Sequence, residues 1–203
     1  MMASLFVNSV GYSQENNVVL DYDQITIGYM HHSFDTEMGD VNTNGVGISA
    51  SQRFSQPDLS NFVVSAGLGN SWIENLDASV FQIGAGLGYI LTLSDTLHLV
   101  PAVSIDYERI HDYEYYYGDT WVFTPSISLN YAVAESLELS LGLAYSDPFN
   151  TEILGEGVSH YTEGSFAGSV GAEYAINNNL GLVSRVTLNE DQTAFAVGFS
   201  WHL

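Results

Sequence analysis

A two-residue alternation of large apolar and small side chains constrains this chain more than any other feature of its sequence. The alternation is clearest in the last ten residues, AFAVGFSWHL, where Phe195, Val197, Phe199, Trp201 and Leu203 alternate with alanine, glycine, serine and histidine. Successive side chains of a β-strand point to opposite faces, so the pattern predicts a strand with one apolar face. Because the pattern recurs along the chain up to residue 203, we expect an all-β protein.

The connections between the alternating segments are of two lengths, and the two lengths alternate. SQPDLS, LSDT, AES and NNN are short and rich in turn-forming residues, whereas DTEMGDVNTN, SWIENLDAS, HDYEYYYGDT and DPFNTEILGEGVSHYTEG are longer. Short periplasmic turns and longer extracellular loops are typical of antiparallel up-and-down transmembrane β-barrels. The sequence predicts such a barrel with about ten strands, and eight strands is the alternative.

The composition excludes several classes of function. The chain has 203 residues, with 3 arginines, no lysine and 24 acidic residues, for a net charge of −21. Nucleic-acid binding requires clustered basic residues, so we expect no nucleic-acid partner. The absence of cysteine excludes disulfides, thiolate catalysis and cysteine-ligated metals, and no motif indicates a cofactor or a dedicated metal site.

Aromatic residues gather at both ends of the apolar faces and leave aliphatic residues in the middle. At the short-turn ends lie Phe54, Phe62, Tyr89, Tyr131, Tyr174 and Trp201. At the long-loop ends lie Tyr29, Trp72, Phe81, Tyr107, Trp121, Tyr145, Phe166 and Phe195. Two aromatic girdles match the two interfaces of a membrane, so we expect the apolar faces to contact lipid. A soluble lipocalin-like barrel, with those faces inside, is the alternative.

Residues 1–22 differ from the rest of the chain. An apolar run is followed by Gly11 and Ser13, which are spaced like the small residues before a signal-peptidase cleavage site. We interpret residues 1–22 as the tail of a signal peptide and a lead-in, and residues 23–203 as the barrel. An ordinary N-terminal segment is the alternative.

Three segments resemble a known family. DYDQITIGY, GAGLGYILTLSDTLHLVP and GFSWHL are similar to segments of the small outer-membrane β-barrel proteins of Gram-negative bacteria, of the OmpA-like or porin-family kind. The resemblance implies an outer-membrane location, among outer-membrane lipid and lipopolysaccharide. It also implies that the barrel assembly machinery recognises the last strand through Gly198, Phe199, Trp201 and Leu203. The usual terminal residue of the family is phenylalanine, so Leu203 departs from the pattern.

Six ionisable residues are predicted to point inward, close to the short turns or the C-terminus. They are Arg53, His98, Glu138, Glu173, Arg185 and His202. An unpaired ion inside a narrow lumen is costly, so we expect these side chains to form one hydrogen-bonded network that plugs the barrel. A selectivity or gating ring is the alternative.

The predicted outer loops are strongly acidic and contain a tyrosine-rich segment, HDYEYYYGD. The simplest interpretation is a solvated surface. Weak binding of divalent cations is the alternative, because hard cations prefer carboxylates. The candidate ligands are Asp112, Glu114, Asp119, Glu152 and Glu156.

An enzymatic function has little support in the sequence. Asp106, His111, Asp112, Asp147 and His160 are acids and histidines of the kind found at the mouth of outer-membrane proteases, but no motif of that class matches. We expect a non-enzymatic outer-membrane barrel with a structural or surface-interaction role. A narrow porin-like channel for small solutes or ions is the alternative.

Overall fold

The computed structural model describes residues 11–12, 20–35, 41–75, 77–112, 117–154 and 164–203. A two-residue strand β1 (Gly11–Tyr12) pairs with β2 (Leu20–Asp21), apart from the main sheet. The strands of the main sheet are β3 (Gln24–Phe34), β4 (Val41–Arg53), β5 (Phe62–Ile73), β6 (Ala78–Tyr89), β7 (Leu91–Ser94), β8 (Leu97–Asp112), β9 (Tyr117–Ala134), β10 (Leu137–Leu154), β11 (Ser165–Asn177), β12 (Leu180–Asn189) and β13 (Gln192–His202). Every pairing between them is antiparallel.

The main sheet closes on itself. Strands β3 to β6 pair in sequence, β6 pairs with β8, and β8 to β13 pair in sequence. The last strand, β13, then pairs with β3 over its whole length, from Gln192–Phe34 to His202–Gln24. Strand β7 continues β6 beyond Ile90 and pairs with the start of β8. The result is the predicted up-and-down barrel, with ten strands rather than eight.

The two ends of the barrel differ in their connections. Residues 95–96, 135–136 and 178–179 are two-residue turns, and residues 54–61 contain a 3-10 turn at Pro57–Leu59. We call this the short-turn end. At the other end, β8, β9 and β10 are 16, 18 and 18 residues long, and they stay paired well into two segments that we predicted to be loops. For example, Arg109 pairs with Asp119, and Asp119 pairs with Glu152. The connections between these strands are therefore shorter than the loops that we predicted from the sequence.

The alternation places large apolar side chains outside the barrel. In β13, Phe199 and Trp201 are 48% and 43% exposed. Ser200, which lies between them, and His202, which follows them, are buried. Exposed apolar residues of this kind occur on all ten strands, far beyond the patches that a water-soluble surface tolerates. The predicted outward orientation is therefore correct. The described part of the chain has no helix long and apolar enough to cross a membrane.

Aromatic rings contact each other across neighbouring strands at both ends of this apolar belt. Phe62 and Tyr89 form an edge-to-face pair at the short-turn end, with ring centroids 4.9 Å apart. Tyr107 and Trp121 form a tilted pair at the opposite end, with centroids 5.2 Å apart. Each girdle thus combines interfacial rings with favourable ring–ring geometry.

The interior is packed at the short-turn end by residues that precede the first barrel strand. Leu20 and Tyr22 are almost completely buried, and they form one apolar cluster with residues of β5, β8 and β9 and of the β6–β7 junction. The other members are Val63, Ile90, Val100 and Ala132. The packed unit therefore begins before residue 23. The predicted signal-peptide tail lies mostly outside the described residues and stays a prediction.

Candidate functional site in the barrel lumen

Residues Leu20–Asp23, which we call the plug segment, are fixed inside the short-turn end mainly by Tyr22. The Tyr22 hydroxyl lies 3.1 Å from His98 Nδ1 and accepts a hydrogen bond from Asn130 Nδ2 at 3.3 Å. Its ring stacks on the His98 imidazole, with centroids 5.9 Å apart. The Tyr22 carbonyl accepts a hydrogen bond from Ser51 Oγ at 2.7 Å. Burial raises the pKa of the Tyr22 phenol, so the hydroxyl stays protonated and can keep these partners.

Asp23 connects the plug segment to the rim of the barrel. Its carboxylate accepts a hydrogen bond from the backbone N–H of Arg53 at 2.6 Å, and its carbonyl accepts one from Leu203 N–H at 2.9 Å. The Arg53 side chain does not reach deeper, because its Nε donates to the Ser60 carbonyl at 3.1 Å. Among the described residues, Arg53 forms no ion pair with a lumen glutamate.

Glu173 is the centre of a second group of contacts in the lumen. Its Oε1 accepts hydrogen bonds from Ser200 Oγ and from His202 Nε2, the latter at 2.9 Å. Glu138 lies directly opposite Glu173 in the register of β10 and β11. Both glutamates are 7% exposed. Two acidic side chains are therefore neighbours on the inner wall.

Glu138, Glu173 and Arg185 line one cavity of about 90 Å³ in the lumen. The remaining wall is mostly small or hydroxyl-bearing, and its inward-facing residues include Thr26, Gly28, Met30, Ser49, Ser140, Val183, Ala196 and Gly198. The six predicted network residues thus fall into three groups. Glu138, Glu173, Arg185 and His202 lie at or beside the cavity, His98 contacts the plug segment, and Arg53 lies at the rim.

Two further buried acids, Asp106 and Glu108, line the lumen on β8, nearer the long-loop end. Asp106 accepts a hydrogen bond from Ser104 Oγ at 2.9 Å, and Glu108 accepts one from Gln82 Nε2 at 3.2 Å. A Cβ atom on the facing Gly84 would collide with the Asp106 carboxylate. We did not predict either acid as a lumen residue. Their parity indicated this position, because Asp106 and Glu108 lie two and four residues after the buried Ser104 on the same strand.

The candidate cation ligands are only partly within the described residues. Glu114, Glu156 and the side chains of Asp112 and Glu152 lie outside them. The Asp119 carboxylate accepts a hydrogen bond from the Tyr107 hydroxyl at 2.9 Å. In the described ranges, no three acidic or histidine side chains are grouped so that they could hold a metal ion. Weak cation binding by these loops stays a prediction.

The residues of the predicted assembly signal divide between the two faces. Phe199, Trp201 and Leu203 point outward, and Leu203 is 72% exposed. Gly198 points inward at the seam where β13 meets β3. A Cβ on Gly198 would collide with the Ile27 carbonyl oxygen and lie 2.8 Å from Gly28 Cα, so glycine permits the two strands to approach closely.

The protease hypothesis receives no support from the arrangement of its candidates. Asp106 is buried in the lumen, whereas His111 and Asp147 are exposed. His160 lies outside the described residues.

No protein-family model matches the chain, and no curated protein matches it in sequence. Several solved structures match its fold. The NanC porin has a TM-score of 0.54 at 8% identity, covering 88% of this chain and 100% of that one. The β domain of the Bordetella autotransporter BrkA has a TM-score of 0.54 at 8% identity, covering 89% and 99%. An outer-membrane channel from Pseudomonas putida F1 has a TM-score of 0.51 at 9% identity, covering 92% and 97%.

These similarities show that the chain has the fold of the outer-membrane β-barrels. At such low identities they show the fold alone. The narrower OmpA-like assignment that the sequence suggested therefore stays a prediction.

Proposed function

We propose that the protein is an integral barrel of the bacterial outer membrane with a structural or surface-interaction role, and that its own N-terminal segment closes its lumen. The burial of Leu20 and Tyr22 inside the barrel carries this proposal. The apolar belt and its two girdles support a location in lipid, and the fold of the solved neighbours supports the outer membrane in particular.

The contacts of the plug segment explain why it would block the passage of ions. Tyr22 bonds to Ser51 of β4, to His98 of β8 and to Asn130 of β9, so it bridges strands from different parts of the wall. Leu20 and Tyr22 also pack against Val63, Ile90, Val100 and Ala132, and the Tyr22 hydroxyl, already hydrogen-bonded, is the one side-chain polar group of this six-residue cluster. A hydrated ion would therefore meet an apolar constriction at the short-turn end.

Single-channel recording in planar bilayers tests the closed lumen. We expect no steady conductance from the wild type, and discrete steps from Tyr22→Ala, because that substitution removes the ring that fills the constriction. Tyr29→Ala is the matched control, because it removes a tyrosine from the outer face and should leave the barrel closed. Heat-modifiable migration in gels would verify that each variant is folded. Steady conductance of the wild type would contradict the proposal.

A narrow cation channel is the second candidate, because the described lumen is lined by more acids than bases. Asp106, Glu108, Glu138 and Glu173 are buried there, and Arg185 lines the same cavity as Glu138 and Glu173. Such walls attract cations and repel anions. In a salt gradient, the reversal potential of any conducting form, including Tyr22→Ala, should then indicate cation selectivity. An anion-selective pore would exclude this candidate.

A further inference from the structure

The geometry points to a binding site for one small monovalent cation, of the size and hardness of Na⁺, between Glu138 and Glu173. The two residues are direct cross-strand neighbours on the inner wall, which brings their Cβ atoms to about 5 Å. Both side chains are more than nine-tenths buried. Two carboxylates so placed repel each other unless a positive charge lies between them.

The hydrogen bonds of the pair leave one buried oxygen atom on each carboxylate without a protein partner. Glu173 Oε1 accepts hydrogen bonds from Ser200 and His202, but Glu173 Oε2 is buried without a protein partner. Glu138 Oε1 is also buried without one. Because a buried carboxylate oxygen without a donor or a cation is costly, these two atoms are the expected ligands.

The walls of the cavity supply further oxygen ligands. Thr26 Oγ1 is a third buried oxygen without a protein partner, and Ser140 lines the same cavity. Carboxylate and hydroxyl oxygens are the ligands of hard cations. The volume of about 90 Å³ accommodates one ion together with several water molecules.

The charges around the cavity favour a monovalent ion over a divalent one. Glu138 and Glu173 contribute two negative charges, and Arg185 contributes one positive charge. His202 Nε2 donates a hydrogen bond to Glu173 Oε1 at 2.9 Å. One monovalent cation makes this group neutral, whereas a divalent cation would leave a buried positive charge.

Asp106 and Glu108 provide an internal control. They are as deeply buried as the Glu138–Glu173 pair, but each accepts a hydrogen bond from a neutral side chain, Ser104 and Gln82 respectively. They are also two residues apart on one strand rather than opposite each other. A neutralising substitution there removes a lumen acid without touching the proposed site.

Ion-dependent stability of the folded full chain in detergent tests the site. Urea unfolding is measured in NaCl and in N-methyl-D-glucamine chloride, at equal ionic strength and neutral pH. A specific site predicts that each tenfold increase in Na⁺ above its Kd lowers the unfolding equilibrium constant about tenfold. Glu138→Gln and Glu173→Gln should abolish this Na⁺ response, whereas Glu108→Gln should keep it.

Three outcomes would overturn the proposal. Equal stability in the two salts would indicate that the pair shares a proton instead. A larger response to millimolar Ca²⁺ than to Na⁺ would indicate a divalent site. A Na⁺ response that survives both substitutions would place the ion elsewhere. If neither variant folds, ²³Na NMR relaxation is measured on the wild type instead. A bound ion broadens the ²³Na signal, and competing Li⁺ reverses the broadening. The absence of such broadening would again reject the site, whether or not the lumen is closed.

Discussion

The outer face and the lumen of this barrel are built by alternate residues of the same strands, yet they follow different rules. Ile127 is 41% exposed on the outside, and its neighbour Ser128 is 2% exposed on the inside. Every outer position has the same requirement, which is to be apolar or aromatic according to its depth in the membrane. Each lumen position instead depends on the particular residue opposite.

Glycines show how specific the lumen is. Gly84 leaves the space that the Asp106 carboxylate occupies, and a Cβ on Gly181 would lie 2.5 Å from Glu173 Oε1. These small residues make room for buried acids on the neighbouring strands. The outer face can therefore accept many substitutions of similar polarity, whereas the lumen cannot.

The largest expected effect comes from placing a charge in the middle of the outer face. Ile127 lies between the girdle residues Trp121 and Tyr131 on β9, near the centre of the membrane. We expect Ile127→Arg to reduce the free energy of unfolding by about 2–4 kcal/mol, because the guanidinium must enter hydrocarbon. Reversible urea unfolding in lipid vesicles measures this loss.

Val133 provides the matched control, because it is on the same face of the same strand but beyond the girdle residue Tyr131. Arginine there can reach the interface, so the cost of Val133→Arg should be about 0–1 kcal/mol. Equal costs at the two depths would show that the belt is not in lipid.

A methyl group added inside the barrel should cost less than that charge but more than the same methyl group outside. Gly198 faces the lumen against the backbone of β3, so Gly198→Ala must displace Ile27 or Gly28. We expect a loss of about 1–3 kcal/mol from this overpacking. For Gly168, on the outer face, the nearest atom to an added Cβ is Leu143 Cδ2 at 3.9 Å, so Gly168→Ala should be tolerated. Urea unfolding measures both variants. Similar losses of unfolding free energy for Gly198→Ala and Gly168→Ala would show that the lumen is no less tolerant of an added methyl group than the outer face.

The outer face and the barrel topology could be predicted from the sequence because both depend on periodic features. Phe199, Trp201 and their equivalents are identified by parity alone, and the turns are marked by their composition. Parity also assigns Glu138, Glu173 and Arg185 to one face, and the three residues line one cavity. It indicates the face of the barrel, however, and not which of these residues contact each other.

The plug segment could not be predicted in this way. Leu20 and Tyr22 precede the first barrel strand, so no alternation links them to a face, and their partners His98 and Asn130 are 76 and 108 residues from Tyr22. The hydrogen bond of the Arg53 side chain could not be predicted for a related reason. The parity of Arg53 directed it inward, but its side chain bonds to the adjacent turn at Ser60.

The polar contacts of Tyr22 should contribute less to stability than its burial. Tyr22→Phe keeps the ring in the apolar cluster but removes the hydroxyl that contacts His98 and Asn130. We expect a loss of about 1 kcal/mol in urea unfolding, because the net contribution of such hydrogen bonds is modest. The variant should remain closed in planar bilayers. Open channels in Tyr22→Phe would show that the hydrogen bonds, rather than the ring, close the lumen.

The smallest expected effect is the pH dependence that comes from Asp21, at the rim of the lumen. Partial burial raises the pKa of the Asp21 carboxyl above its ordinary value of 3.8, and the Asp23 carboxylate adds to this, while hydrogen bonds from backbone N–H groups and His202 oppose it. Between the ordinary and the raised value, the folded state therefore holds more protons than the unfolded state. The contribution of Asp21 to stability must then fall as the pH rises through that interval. The free energy of unfolding of the wild type, minus that of Asp21→Asn, should decrease over this pH range, and an increase would show that the rim stabilises the charged form of Asp21.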